Sequence, residues 1–138
     1  REPEHLFALL RLGQLAENKK DNSAARALYE KAAALPGGES LTRRHFARLC
    51  LSEGNPAEAR EHRHEALRHD PQDALSLQLL ARLYLDAGED PDLAAGLARQ
   101  SVSLRPGLKA GWQELARALE AMGRDQQAKE ARLRAGDV

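Results

Sequence analysis

The sequence predicts an all-α chain of repeated helical hairpins, and three observations predict it. Ile is absent and Val occurs only at Val102 and Val138, so the β-branched apolar residues that fill strands are almost missing from the 138 residues. Ala and Leu dominate instead, and both favour helix. Several residue columns then recur at a fixed period, the mark of stacked supersecondary units.

Four copies are visible. Ala25, Ala59, Ala94 and Ala128 are separated by 34, 35 and 34 residues, as are Ala32, Ala66, Ser101 and Ala135. Leu12, Phe46, Leu80 and Leu115, each followed by Gly13, Ala47, Ala81 or Ala116, are spaced by 34, 34 and 35, and Ala16, Cys50, Tyr84 and Leu119 share that spacing. The one extra residue falls inside the turn Gly88-Glu89-Asp90-Pro91-Asp92, where insertion costs least.

The elements follow from apolar spacing and its punctuation. A first helix over 5–18 is apolar on more than one face through Leu6-Phe7-Ala8-Leu9-Leu10-Arg11-Leu12, and a second over 22–35 stops at Pro36. A third over 39–53 ends at Gly54, and Asn55-Pro56-Ala57-Glu58 then supplies an N-cap, a proline at the first helical position and an acid in the first turn of a helix over 56–69. Pro71 closes that unit. A helix over 73–87 carries Leu77, Leu80, Ala81 and Tyr84 on one stripe; Asp90-Pro91 opens the next, over 91–104, with Ala94, Leu97, Ala98 and Ser101. After Pro106 come helices over 108–122 and 125–135, the last one polar and charged through Gln126, Gln127, Lys129, Glu130 and Arg132, as a solvating cap would be.

This pattern resembles the tetratricopeptide repeat family over essentially the whole chain. Small residues stand at its eighth, twentieth and twenty-seventh positions and a large apolar one at the seventh. Trp112-Gln113-Glu114-Leu115-Ala116 matches the family's helix opening, and Asp70-Pro71 and Arg105-Pro106 match its unit boundary. Leu35-Pro36 ends the first unit one residue early, and Arg63 stands where the family prefers an aromatic. The resemblance implies one array over 1–138, with units near 5–38, 39–72, 73–107 and 108–138, forming a right-handed α-solenoid whose first helices line a concave groove. The start at Arg1 rather than Met predicts a piece of a longer protein, and Arg preferred over Lys with abundant Ala and Leu predicts a bacterial one.

In that register the groove-facing ninth position holds Gln14, Arg48, Arg82 and Arg117, and the fifth holds Leu10, Arg44, Gln78 and Gln113. The second holds Phe7, Leu41, Leu75 and Ala110, and the twelfth Glu17, Leu51, Leu85 and Glu120. Guanidinium forks suit carboxylates and glutamine amides suit an extended backbone. The expected ligand is therefore an acidic, partly hydrophobic peptide, held by Arg44, Arg48, Arg82, Arg117, Gln14, Gln78 and Gln113. The competing reading pairs Arg82 and Arg117 internally with Asp86, Glu114 or Glu120. The family's clamp for a C-terminal carboxylate uses Lys and Asn where this chain has Leu10 and Gln14, so chaperone-tail specificity is not expected.

The expected function is that of a non-enzymatic protein-binding scaffold without cofactor. The alternative is an accessory domain of a larger enzyme such as a transferase. RNA binding of the kind shown by related helical repeats is disfavoured by 21 basic against 21 acidic side chains and by few aromatics. No stretch is apolar enough for direct membrane insertion. The apolar first helix predicts self-association or packing against an upstream segment. His62, His64 and His69 lack the spacing to converge on a metal and are expected on a solvated face, while Cys50 is expected to be an inert buried thiol.

Overall fold

The computed structural model describes residues 2–136, with side chains described from residue 5 onward. Among these, eight helices and no strand are found: α1 (Glu2–Asn18), α2 (Asn22–Ala33), α3 (Glu39–Ser52), α4 (Pro56–His69), α5 (Ala74–Asp86), α6 (Pro91–Leu104), α7 (Lys109–Ala121) and α8 (Asp125–Ala135). Each odd-numbered helix packs on the even-numbered helix that follows it.

The turns carry the boundaries. Asp21, Asn55, Asp73 and Asp90 each accept a hydrogen bond from the backbone N–H three residues on, which satisfies a donor that the helix leaves open. Gly54, Gly88 and Gly123 sit at positive φ after the odd helices, where a side chain would be strained. α2 ends at Ala33, two residues before the sequence predicts, because Pro36 imposes its restriction upstream and Leu35 leaves the helical register.

The chain divides into two compact units, Arg1–Pro71 and Gln72–Val138. In the first, the core joins Leu6, Leu10, Ala25, Tyr29, Ala32, Phe46 and Leu49, with α3 seated on α2. Gly13 admits the Tyr29 ring: a Cβ there would lie 2.4 Å from its Cε1 atom. In the second unit, Ala81, Ala94, Ala95, Ala98, Leu115, Ala116, Leu119, Ala128 and Ala131 form the core, and α7 seats on α6. Close approach again depends on a missing side chain, since a Cβ at Gly111 would lie 2.7 Å from Ser101 Oγ and 2.8 Å from Val102 Cγ1. The recurrent alanine columns are thus contact points: Ala25, Ala59, Ala94 and Ala128 are all fully buried.

One column departs from expectation. Phe46, Leu80 and Leu115 are buried, but Leu12, their counterpart on α1, is 51% exposed. The reason is positional: α3 and α7 press this column onto α2 and α6, and no described helix precedes α1. Phe7 at 60% and Leu15 at 46% complete an apolar face on α1 that is open to solvent.

Candidate functional site

In the first unit, α3 carries two of the predicted arginines and α1 the predicted Gln14, which is exposed. Arg44 is half-buried. Arg48 reaches across to α1, where its Nη2 lies 2.8 Å from Glu17 Oε1; it also lies 3.1 Å from His45 Nδ1 and 3.5 Å from the Tyr29 hydroxyl. Tyr29 donates a further bond to Glu17. Burial works against the Arg48 cation, but Glu17 outweighs it and holds its pKa above the ordinary value. Burial, then Glu17, raises that of Tyr29. Burial pushes His45 down to about 4, helped by the Arg48 cation, so the imidazole is neutral at pH 7.

In the second unit, Arg82 and Arg117 stand on α5 and α7 around the buried carboxylate of Glu114. Arg117 donates to Glu114 at 3.0 Å and to Asp86 at 2.9 Å, while Arg82 lies 3.9 Å from Glu114 and its side chain is 57% exposed. Arg132, paired with Glu120, joins Arg82, Gln113, Glu114 and Arg117 around a depression of about 320 Å³. The internal pairing read from helical spacing is present for Arg117 with Glu114, whereas Arg82 with Glu114 and Arg117 with Asp86 pair across α5 and α7.

Two fifth-position residues lie elsewhere than their groove-facing register implies. Gln78 is only 2% exposed, and its amide donates to Glu114 Oε2 at 3.1 Å; Leu10 is buried in the core with Leu6 and Phe46. Both are covered because the next odd helix packs over that position, α3 over α1 and α7 over α5. Gln113 remains half-exposed at the depression. Of the apolar flanks, Phe7, Leu51 and Leu75 are exposed, whereas Leu85 packs on the core.

Residues 8–36, which contain most of α1 and all of α2, match the family model described as "Tetratricopeptide repeat". Solved structures agree over nearly the whole chain. The crystal structure of MamA is 19% identical, with 98% of this chain and 78% of that chain covered at a TM-score of 0.82. A MamA fragment, residues 41 to the end, from Desulfovibrio magneticus RS-1 is 18% identical over 96% of this chain and 74% of that one, with a TM-score of 0.78. PilF of Pseudomonas aeruginosa is 19% identical over 97% of this chain and 61% of its own, at 0.83. No curated protein matches the sequence.

The fold is that of a tetratricopeptide-repeat solenoid. Tetratricopeptide registers align equivalent residues of successive helix pairs, and one cluster in the first unit was not legible from spacing. His62 is not on a solvated face: its ring stacks on Phe46 with centroids 4.5 Å apart and planes 9° apart. Its Nδ1 lies 3.1 Å from Arg43 Nη1 and its Nε2 lies 3.4 Å from Glu58. Cys50, Glu58 and His62 thereby place one donor atom each within 4.8 Å of one another. This set is already committed to a cation, because Arg26 Nη1 donates to Glu58 at 2.9 Å and Nη2 lies 4.0 Å from the Cys50 sulfur. Burial raises the Cys50 thiol to about 11, so it is protonated at pH 7, and a metal would have to displace both that proton and the guanidinium. Among the described residues, no helix is long and apolar enough to cross a membrane.

Proposed function

We propose that this chain is a non-enzymatic scaffold that binds an acidic, partly hydrophobic peptide on the face of its odd-numbered helices, the groove side of this fold. The observation that carries the reading is the run of exposed guanidinium groups at equivalent positions, Arg48, Arg82 and Arg117, with side chains 46%, 57% and 42% exposed. Internal carboxylates steady these side chains, which lowers the ordering cost of a ligand pair, and each guanidinium has five N–H donors, so a ligand carboxylate can be met from the exposed side without breaking the internal pair. Arg82, with its long contact to Glu114, is the most available. Gln113 and Gln14 supply amides beside the arginines, and Leu51 and Leu75 supply exposed apolar surface.

The experiment is a peptide array probed with the purified chain. Sequences alternating Asp or Glu with Leu or Phe are retained above their Lys-substituted counterparts; equal retention of both sets contradicts the proposal.

The open face of α1 favours a second contact, by self-association or against an upstream segment. Ala8, Leu12 and Leu15 occupy the positions that Thr42, Phe46 and Leu49 use to seat α3 on α2, so this face carries the side chains with which the repeat itself docks.

A further inference from the structure

On the side of α7 opposite the arginine depression, a second cleft of about 310 Å³ opens between α6 and α8. Gln113, Glu114 and Arg117 line the first; Trp112, Leu115 and Leu119 floor the second, and at 100° per residue these sets face nearly opposite ways. Arg99 on α6 and Gln127, Glu130, Ala131 and Arg134 on α8 form its rim. We propose that this cleft takes a large apolar side chain of a partner peptide whose neighbouring carboxylates pair with Arg99 and Arg134.

The first unit shows what fills such a space. In the repeat register Leu115 corresponds to Phe46 and Ala131 to His62, and Ala95 of α6 corresponds to Arg26 of α2. In the first unit the His62 ring lies flat on Phe46, and the Arg26 guanidinium stands 5.7 Å from the Phe46 ring centroid. In the second unit both side chains are alanines and Leu115 and Leu119 are themselves buried, so the apolar floor residue left half-exposed in the cleft is Trp112. A planar side chain supplied from outside would lie against the Trp112 ring, beside the Arg134 guanidinium, as the His62 ring lies against Phe46 beside Arg26 in the first unit.

Charge selects the peptide. Neither Arg99 nor Arg134 has a carboxylate within ion-pair distance among the described residues, and Arg134 lies over the Trp112 ring at 5.2 Å. Glu130 is the single acidic group on the rim, so the cleft is net cationic. Trp112 is anchored from below by its Nε1 donating to Pro106 O at 2.8 Å, which keeps its ring as a fixed wall.

Trp112 is the only tryptophan and therefore a built-in reporter. The blocked tripeptide acetyl-Glu-Phe-Asp-amide is titrated into the intact chain, with acetyl-Lys-Phe-Lys-amide as control, by Trp112 emission and by calorimetry. The acidic peptide is expected to shift Trp112 emission at about millimolar concentration and to bind about tenfold tighter than the control. Ala131→Leu, which copies Leu97 at the equivalent position, abolishes the shift, and the exposed Arg99→Glu weakens binding about tenfold without touching the core. Arg124→Glu, exposed and outside both the depression and the cleft, leaves the shift intact. No emission change with the acidic peptide, equal binding of the two peptides, or unchanged binding in Arg99→Glu overturns the proposal.

Discussion

His45 shows how a single side chain is set by what touches it. Its ring lies over Tyr29 with centroids 5.6 Å apart, its Nδ1 faces Arg48, and burial with Arg48, Arg44 and Arg63 nearby favours the neutral form against the pull of Glu17. Its pKa is about 4 when folded, against an ordinary value of 6.5, so the unfolded chain takes up a proton that the folded chain refuses. Stability is therefore complete above pH 6.5 and falls as the pH drops towards 4, with His62 and His64, also lowered by burial, acting in the same direction. The expected loss from His45 alone is about 1–3 kcal/mol by pH 4. Urea unfolding at a series of pH values measures it, and His45→Phe should flatten much of the slope between pH 6.5 and 4.5. Spacing alone could not reveal this environment, because His45 gains it from Tyr29 on another helix.

At the scale of elements, helix ends were legible and helix surroundings less so. Gly54, Asn55, Pro56, Asp90 and Pro91 act through local backbone geometry, and α4, α6 and α8 begin and end where the sequence places them. The fifth position was misleading because its exposure depends on the next odd helix: Leu10 and Gln78 are covered, while Gln113 is not. The same dependence leaves the Leu12 column bare on α1. Sedimentation velocity over a range of concentrations tests whether this face joins two copies. Self-association through α1 predicts a mass that rises with concentration in the native chain and stays monomeric in Leu12→Glu, whose side chain is already exposed. A native chain that is monomeric throughout excludes that form of contact.

Across the molecule, the period of the alanine columns carried the fold, because small residues at fixed intervals are what let helix pairs approach. Function was less legible. The sequence placed Arg48, Arg82 and Arg117 at equivalent positions, and they are exposed, but it could not show that each is steadied by a carboxylate of its own unit or that α6 and α8 leave a cleft over Trp112. Those features arise where side chains from different helices meet. The most direct test of the scaffold reading is the affinity of an acidic peptide selected on the array for the native chain and for the double variant Arg48→Glu, Arg82→Glu, each at about 0.05 and 0.5 M salt. The prediction is about tenfold or greater weakening by the double reversal, and marked weakening of the native complex by salt; unchanged affinity after both reversals, with little effect of salt, would contradict it.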